Sequence, residues 1–255
     1  MLSESVRRRA RPRRRVRAHD EPGVSISSPG NRFANVAVRD AGGQGFVVAT
    51  SASDGQRFER CSTLRTLLSG FDLGSDAHQL RDVSAVGTQD PNAVGFRLSG
   101  SGVRLERAKA SATANHGVWR TGDGHRLKDV AVGNAMSYGI LLDANDCSLQ
   151  QIHVEGSMFH GLFVHGDRNR LVDVRSHANG SHGIYLRGDG NSLKKAFVGG
   201  SVGSGIVVFN DATHTRVQSS TSTGHVSSDA FDFSVCGATA WESNVFGSIN
   251  DPCGL

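Results

Sequence analysis

The sequence predicts an all-β solenoid of about nine stacked coils, each of 22–25 residues and built from short parallel strands. Three observations predict it. A glycine followed by a short apolar run recurs at Gly45, Gly70, Gly95, Gly117, Gly139, Gly161, Gly183 and Gly205, with a degenerate copy at Ala230, in steps of 25, 25, 22, 22, 22, 22, 22 and 25 residues. A second ladder keeps the same step: Phe58, Leu80, Leu105, Leu127, Leu149, Leu171 and Leu193, each followed three residues later by Cys61, Val83, Ala108, Val130, Ile152, Val174 and Ala196. Within each run, as in GILL and GIYL, apolar residues alternate with a period of two, which is strand and not helix periodicity. A leucine-rich repeat of similar length would carry a Leu-x-x-Leu-x-Leu signature that is absent, and a propeller blade needs about 40 residues. A fixed short period then means one coil per repeat, stacked about 4.8 Å apart.

Taken in order, residues 1–30 read as a disordered basic extension and residues 31–255 as one solenoid domain with a short C-terminal cap. The extension holds eight arginines, Arg7, Arg8, Arg9, Arg11, Arg13, Arg14, Arg15 and Arg17, against Glu4 and Asp20 in its first twenty residues. That leaves the body at −2 out of the chain's net +4, so nucleic-acid binding by the body is not expected. No apolar segment follows the arginines, so a secretory or twin-arginine signal is incomplete. No run of about 18 apolar residues exists, and no membrane partner is expected. Localisation stays open on these grounds. Of the four cysteines, Cys61 falls in a buried register, and Cys236 and Cys253 are candidates to pair in the tail.

In the glycine-anchored strand, positions one and three after the anchor point inward: Phe46/Val48, Phe96/Leu98, Ile140/Leu142, Leu162/Val164, Ile184/Leu186, Ile206/Val208 and Phe231/Phe233. Arg120 breaks this ladder, so its coil is either locally different or out of register. Positions two and four point out. The first outward column is Trp119, Leu141, Phe163, Tyr185, Val207 and Asp232; the second is Thr121, Asp143, His165, Arg187 and Phe209. The residue before the anchor gives His116, Tyr138, His160, His182, Ser204 and Asp229. A contiguous outward apolar stripe marks a binding site or a covered surface, including a subunit contact. The histidine column is either catalytic or a structural stack. His125, His153, His177 and His214 are expected in turns or on other faces, solvated.

The phrases NGSHGIYLRGDGNSLKKAFV and AMSYGILLDANDCSLQQIHV resemble the right-handed parallel β-helix of the pectate-lyase-like superfamily, over roughly residues 33–235. The resemblance implies the handedness and an extracellular location, and it hosts lyases, hydrolases, epimerases and binding proteins alike; a biosynthetic role would instead put the chain in the cytoplasm. On that background His160 and His182 are the candidate acid and base, since histidine titrates near neutrality and like charges hold one ring neutral. Tyr138 would donate a proton, Arg187 would neutralise a carboxylate, and Asp143 would orient a histidine. His116, Trp119, Leu141, Asp143, Phe163, His165, Tyr185, Val207 and Phe209 would line the substrate track.

The phrase SSDAFDF resembles the carboxylate motif of polygalacturonase-type hydrolases. It would make Asp229 and Asp232 paired carboxylates on one face, although the family's further Asp-Asp and Gly-His-Gly motifs are missing. Many lyases resembling this chain use Ca²⁺, but Asp143, Asp229 and Asp232 lie too far apart along the rod for one cage. Neither metal nor cofactor is expected. The expected activity is a carbohydrate-active lyase or epimerase working by proton abstraction on an oligosaccharide. The alternatives are an isomerase or cyclase acting on an apolar small metabolite, and a non-catalytic binding or structural solenoid.

Overall fold

The computed structural model describes residues 14–16, 21–48 and 53–250. Among them there is no helix, and every paired strand is parallel to its neighbours. Two sheets run the length of the molecule, one of eleven strands and one of sixteen. Eleven stacked strands correspond to about ten coils, one more than the repeat count suggested. The register is that of the repeat: Ile140 pairs with Leu162 and Leu162 with Ile184.

The eleven-stranded sheet carries the glycine-anchored strands, such as Ile140–Asp143, Leu162–His165 and Ile184–Arg187. The other sheet bends in mid-strand. In Arg126–Gly133, Ser148–Glu155 and Arg170–His177 the bend is made by Asp129, Gln151 and Asp173, each with φ 55°. These left-handed residues drop out of the pairing ladder, as at Glu106↔Lys128 followed by Ala108↔Val130. Each coil therefore has three short runs, and the leucine ladder and its companion three residues on lie either side of the bend.

The anchoring glycines have a steric cause. A Cβ on Gly117, Gly139 or Gly183 would sit 2.1–2.2 Å from a methyl of Val132, Val154 or Val198, and 2.5–2.8 Å from the glycine carbonyl of the next coil. Those valines are inward residues of the bent sheet, and they fill the corner that a side chain would need. The core is a set of like-on-like stacks. Phe46, Phe71 and Phe96 are fully buried, with centroids 4.9 and 5.0 Å apart, and each such buried side chain contributes about 1.5–3 kcal/mol.

Two polar features interrupt this core. One inner corner is a polar ladder. Asn169 Oδ1 accepts the Cys147 N–H and Asn191 Oδ1 accepts the Asn169 N–H, both at 2.9 Å. His125 belongs to the same corner and is fully buried, contrary to the solvated position expected for it. Its Nδ1 accepts the Val103 N–H and its Nε2 faces the Thr121 carbonyl. His153, His177 and His214 are exposed, as expected. The second feature is Arg120. Its strand pairs in register with both neighbours, Leu98↔Arg120 and Arg120↔Leu142. The coil is regular, and the arginine lies inside it, fully buried, with no hydrogen-bond partner for its three nitrogens. Burial lowers its pKa to about 9.

Three expectations at the ends need correction. Val24–Ile26 already pairs with Phe46–Val48, and Arg14–Val16 with Val36–Val38, so the boundary at residue 31 falls inside the solenoid. The last coils step by 24 residues: Ile206 pairs with Ala230 and Val208 with Asp232. The anchor is thus Asp229, not Ala230. That one-residue slip turns every side chain of the strand to the other face, so Ala230 and Asp232 point inward while Phe231 is half-buried and Phe233 exposed. Thr239–Glu242 pairs with Thr215–Gln218 and completes a further coil. Cys61 and Cys147 are free and buried; Cys236 is disulfide-bonded, and Cys253 lies outside the described residues.

Candidate functional site

The open face of the eleven-stranded sheet gathers most of the residues singled out in the sequence. Parallel pairing places Trp119, Leu141, Phe163 and Tyr185 side by side, and beside them Thr121, Asp143, His165 and Arg187. The column before the anchor packs against both. His116 and Tyr138 have centroids 5.2 Å apart, Tyr138 and His160 5.3 Å, and His160 and His182 5.0 Å. His160 also stacks on Tyr185 at 5.1 Å, and Tyr138 tilts against Phe163 at 5.5 Å. Of the column before the anchor, His116, Tyr138, His160 and His182 are half-buried against these outward residues, whereas Ser204 and Asp229 are buried. The aromatic stripe continues through Phe209 and Phe233.

The histidines of the stack are tied to the backbone. Nδ1 of His116 accepts the Tyr138 N–H, Nδ1 of His160 the His182 N–H, and Nδ1 of His182 the Ser204 N–H. Burial pushes the pKa of His116 and His160 down to about 4, and that of His182 down as well; the charge of His182 adds to the effect at His160. A neutral ring whose Nδ1 lone pair is engaged carries its proton on Nε2. His160 and His182 are thus hydrogen-bond donors, and neither has a free lone pair to take a proton.

His165 differs. Its Nδ1 lies 2.9 Å from Asp143 Oδ1, and both side chains are about half exposed. A carboxylate on Nδ1 fixes the proton there and leaves Nε2 free as a base. The carboxylate of Asp143 thus lies against His165 and not against the stacked histidines. On the next coil Arg187 is paired with Asp211, Nη2 to Oδ2 at 2.6 Å, and lies over the Phe209 ring at 4.9 Å. Burial raises the Tyr185 pKa, so its phenol stays protonated.

Three of the expected residues do not reach the face. Val207 is fully buried, sealed between Tyr185 and Phe231 in its own column. Asp229 is 4% and Asp232 7% exposed, so they are not paired carboxylates on an open surface. Asp229 accepts the Ser248 N–H and hydroxyl and the His225 N–H. Asp232 accepts the Trp241 indole N–H and the Ser234 N–H.

Sequence reasoning overlooked the near end of the same face. A groove of about 440 Å³ is lined there by Gln44, Val47, Asp72, Gly74, Arg97, Ser99, Trp119 and Thr121, with the backs of Val48 and Leu98. Arg97 forks onto Asp72, Nε to Oδ1 at 2.9 Å and Nη2 to Oδ2 at 2.5 Å. The signal was in the sequence, because Asp72 and Arg97 stand two residues after Gly70 and Gly95, in the column that leads to Trp119. Asp211 had no such signal, since it lies in a turn outside the repeat. Among the described residues, no cluster of three or more histidines, cysteines or carboxylates could hold a metal ion.

Stacked parallel coils with one open, aromatic-lined face define a right-handed parallel β-helix protein. No protein-family model and no curated protein matches the chain. Solved structures do. The A-module of the Azotobacter vinelandii mannuronan C-5 epimerase AlgE6 superposes with a TM-score of 0.64 at 14% identity, over 90% of this chain and 81% of that one. A variant of the periplasmic alginate epimerase AlgG gives 0.60 at 10% identity, over 89% of this chain and 62% of that one. The A-module of the A. vinelandii mannuronan C-5 epimerase AlgE4 gives 0.51 at 12% identity, over 87% and 68%. At these identities the likeness is one of fold.

Proposed function

We propose that the protein is a carbohydrate-active epimerase or lyase that binds a polysaccharide along the open face and abstracts a proton next to a sugar carboxylate. The observation that carries this is the Asp143–His165 pair beside Arg187 on an aromatic-lined surface. In this reading His165 Nε2 takes the proton. Arg187, held by Asp211, faces the charge that builds on the carboxylate. The phenol of Tyr138 or Tyr185 returns a proton from the other side, giving epimerisation, or protonates the leaving oxygen, giving elimination. His116, His160 and His182 supply Nε2–H donors, and Trp119, Leu141, Phe163 and Phe209 supply apolar contact to sugar rings. That the solved structures of like fold include proteins named as mannuronan and alginate epimerases supports the reaction class.

A second reading, a non-catalytic glycan-binding β-helix, is favoured by the ion pairing of Arg187 and the engagement of the stacked histidines by the backbone. Incubation with a panel of uronans in D₂O separates the two. Deuterium at the carbon next to the carboxylate, or the ultraviolet absorbance of an unsaturated product, is the expected result. Binding without either change across the panel would overturn the first reading in favour of the second.

A further inference from the structure

The groove at the near end of the face is a built site of which the reaction above uses only Trp119, as a ring contact. Asp72 is almost fully buried and Arg97 is partly exposed, and among the described residues they are the only charged side chains in the lining. Each has hydrogen-bonding capacity left. The guanidinium has five N–H donors and commits two to Asp72, while the carboxylate keeps lone pairs beyond those two bonds. Gln44, Ser99 and Thr121 add an amide and two hydroxyls, and the Trp119 indole closes one end. The groove therefore offers many donors and acceptors, one aromatic platform and no net charge. Its volume suits a small number of sugar rings.

We infer that this groove is a glycan subsite selective for a neutral pyranose, one without a carboxylate; this rests on the reading that the face binds a polysaccharide. The indole takes the C–H face of the ring. The Asp72–Arg97 fork takes neighbouring hydroxyls, the carboxylate accepting and the guanidinium donating. A uronate is disfavoured because Asp72 neutralises Arg97 and is itself almost fully buried, so it cannot swing into solvent as the exposed Asp211 beside Arg187 can, and a second carboxylate would lie beside Asp72 with no cation to meet it. The subsite lies four coil steps, about 19 Å, from the Arg187 coil. The polymer is then one in which uncharged or esterified units accompany the uronate that reacts.

The test uses matched trisaccharide pairs that differ only in C6 carboxylate against C6 hydroxymethyl: β-1,4-mannuronate with β-1,4-mannotriose, and the corresponding gluco and galacto pairs. Binding to the full chain is read from the indole N–H resonance of Trp119, assigned by its loss in Trp119→Phe, with Trp241 as the internal control. At least one neutral member should move the Trp119 signal and bind about ten-fold tighter than its uronate partner. Asp72→Asn frees Arg97 and should cancel or invert that preference. Arg97→Gln should weaken the neutral sugar without any gain for the uronate, and it keeps the test sound if Asp72→Asn does not fold. Tighter binding of the uronate members to the wild type, or a Trp119 signal unmoved by every member, overturns the inference. The readout needs no turnover. Shifts confined to Tyr185 and Phe163 would remove the subsite and leave the proposed reaction standing. A shifted Trp119 without deuterium exchange anywhere would do the converse.

Discussion

His160 and His165 are five residues apart on one coil, and their surroundings give them opposite chemistry. His160 is stacked on both sides, accepts a backbone N–H on Nδ1 and is held neutral. His165 stands half exposed with a carboxylate on Nδ1. His165→Ala should lower turnover by roughly 10²–10⁴, the range of a lost general base. Its folding stability should change by no more than about 0.5 kcal/mol, since the side chain is exposed. His160→Ala should show the reverse: a lower melting temperature, from the lost stack and an unpaired His182 N–H, with turnover per folded molecule kept within a few-fold. Kinetics and thermal melts on the two variants check both, and full activity in His165→Ala would remove that residue from the mechanism. The sequence marked both as outward residues. It did not show what the Nδ1 of each ring meets, because that depends on the neighbouring coil. Arg120 was legible as a break in an apolar column, yet nothing in the sequence said that the strand would stay regular and take the guanidinium inside.

At the scale of the element, the repeat was readable because one steric rule writes it. Each anchor glycine gives way to an inward side chain of the bent sheet, so the glycine recurs once per coil. A Cβ at Gly161 would sit 2.2 Å from Ser176 Oγ and 2.7 Å from the Gly183 carbonyl oxygen. Gly161→Ala should therefore destabilise by about 1–3 kcal/mol, the cost of overpacking. Gly133 meets nothing within 4 Å and has an ordinary φ, so Gly133→Ala should be neutral or stabilise by about 0.4–1 kcal/mol through the unfolded chain. Urea midpoints give both values, and equal effects would deny the steric origin of the repeat. Where the rule lapses, the sequence misleads. At 229–233 the anchor is an aspartate, and the alternation of AFDF fits two registers. The apolar reading puts both phenylalanines inside. The molecule instead buries Ala230 and Asp232, the latter compensated by the Trp241 and Ser234 hydrogen bonds. Partners twenty-odd residues away or in the cap decide such cases, and no local pattern carries them.

The whole rod should be acid-labile, and the cause lies along its axis. His78, His116, His125 and His160 are spread over the middle coils, and burial holds each of them at a pKa of about 4 against 6.5 in the unfolded chain. Their ring nitrogens serve the fold as neutral groups: His78 and His125 cap the inner polar ladder, and His116 and His160 cap the outer stack. Between pH 6.5 and 4 the unfolded chain takes up protons that the folded one refuses. Stability is therefore full above about pH 6.5 and falls as the pH drops toward 4. Each group contributes at most about 1.36 kcal/mol per pH unit in that window, so four acting together can remove on the order of 5 kcal/mol per unit at the steepest. The ion pairs on the corners, such as Asp146–Arg168 and Asp82–Arg107, add little to this loss. They are solvent-exposed and contribute little, and their carboxylates titrate at lower pH. Melting temperatures measured from pH 7.5 to 4 should hold level and then drop below about 6.5. The drop should persist in high salt, because it does not come from surface charge. Replacing His116 and His160 together by glutamine removes two of the four rings held at about 4 and leaves His182, also lowered by burial, in place, so the slope should fall by somewhat less than half. A melting temperature that is flat from pH 6.5 to 4.5, or a slope unchanged in that double variant, would show that the buried histidines do not set the acid limit of the solenoid.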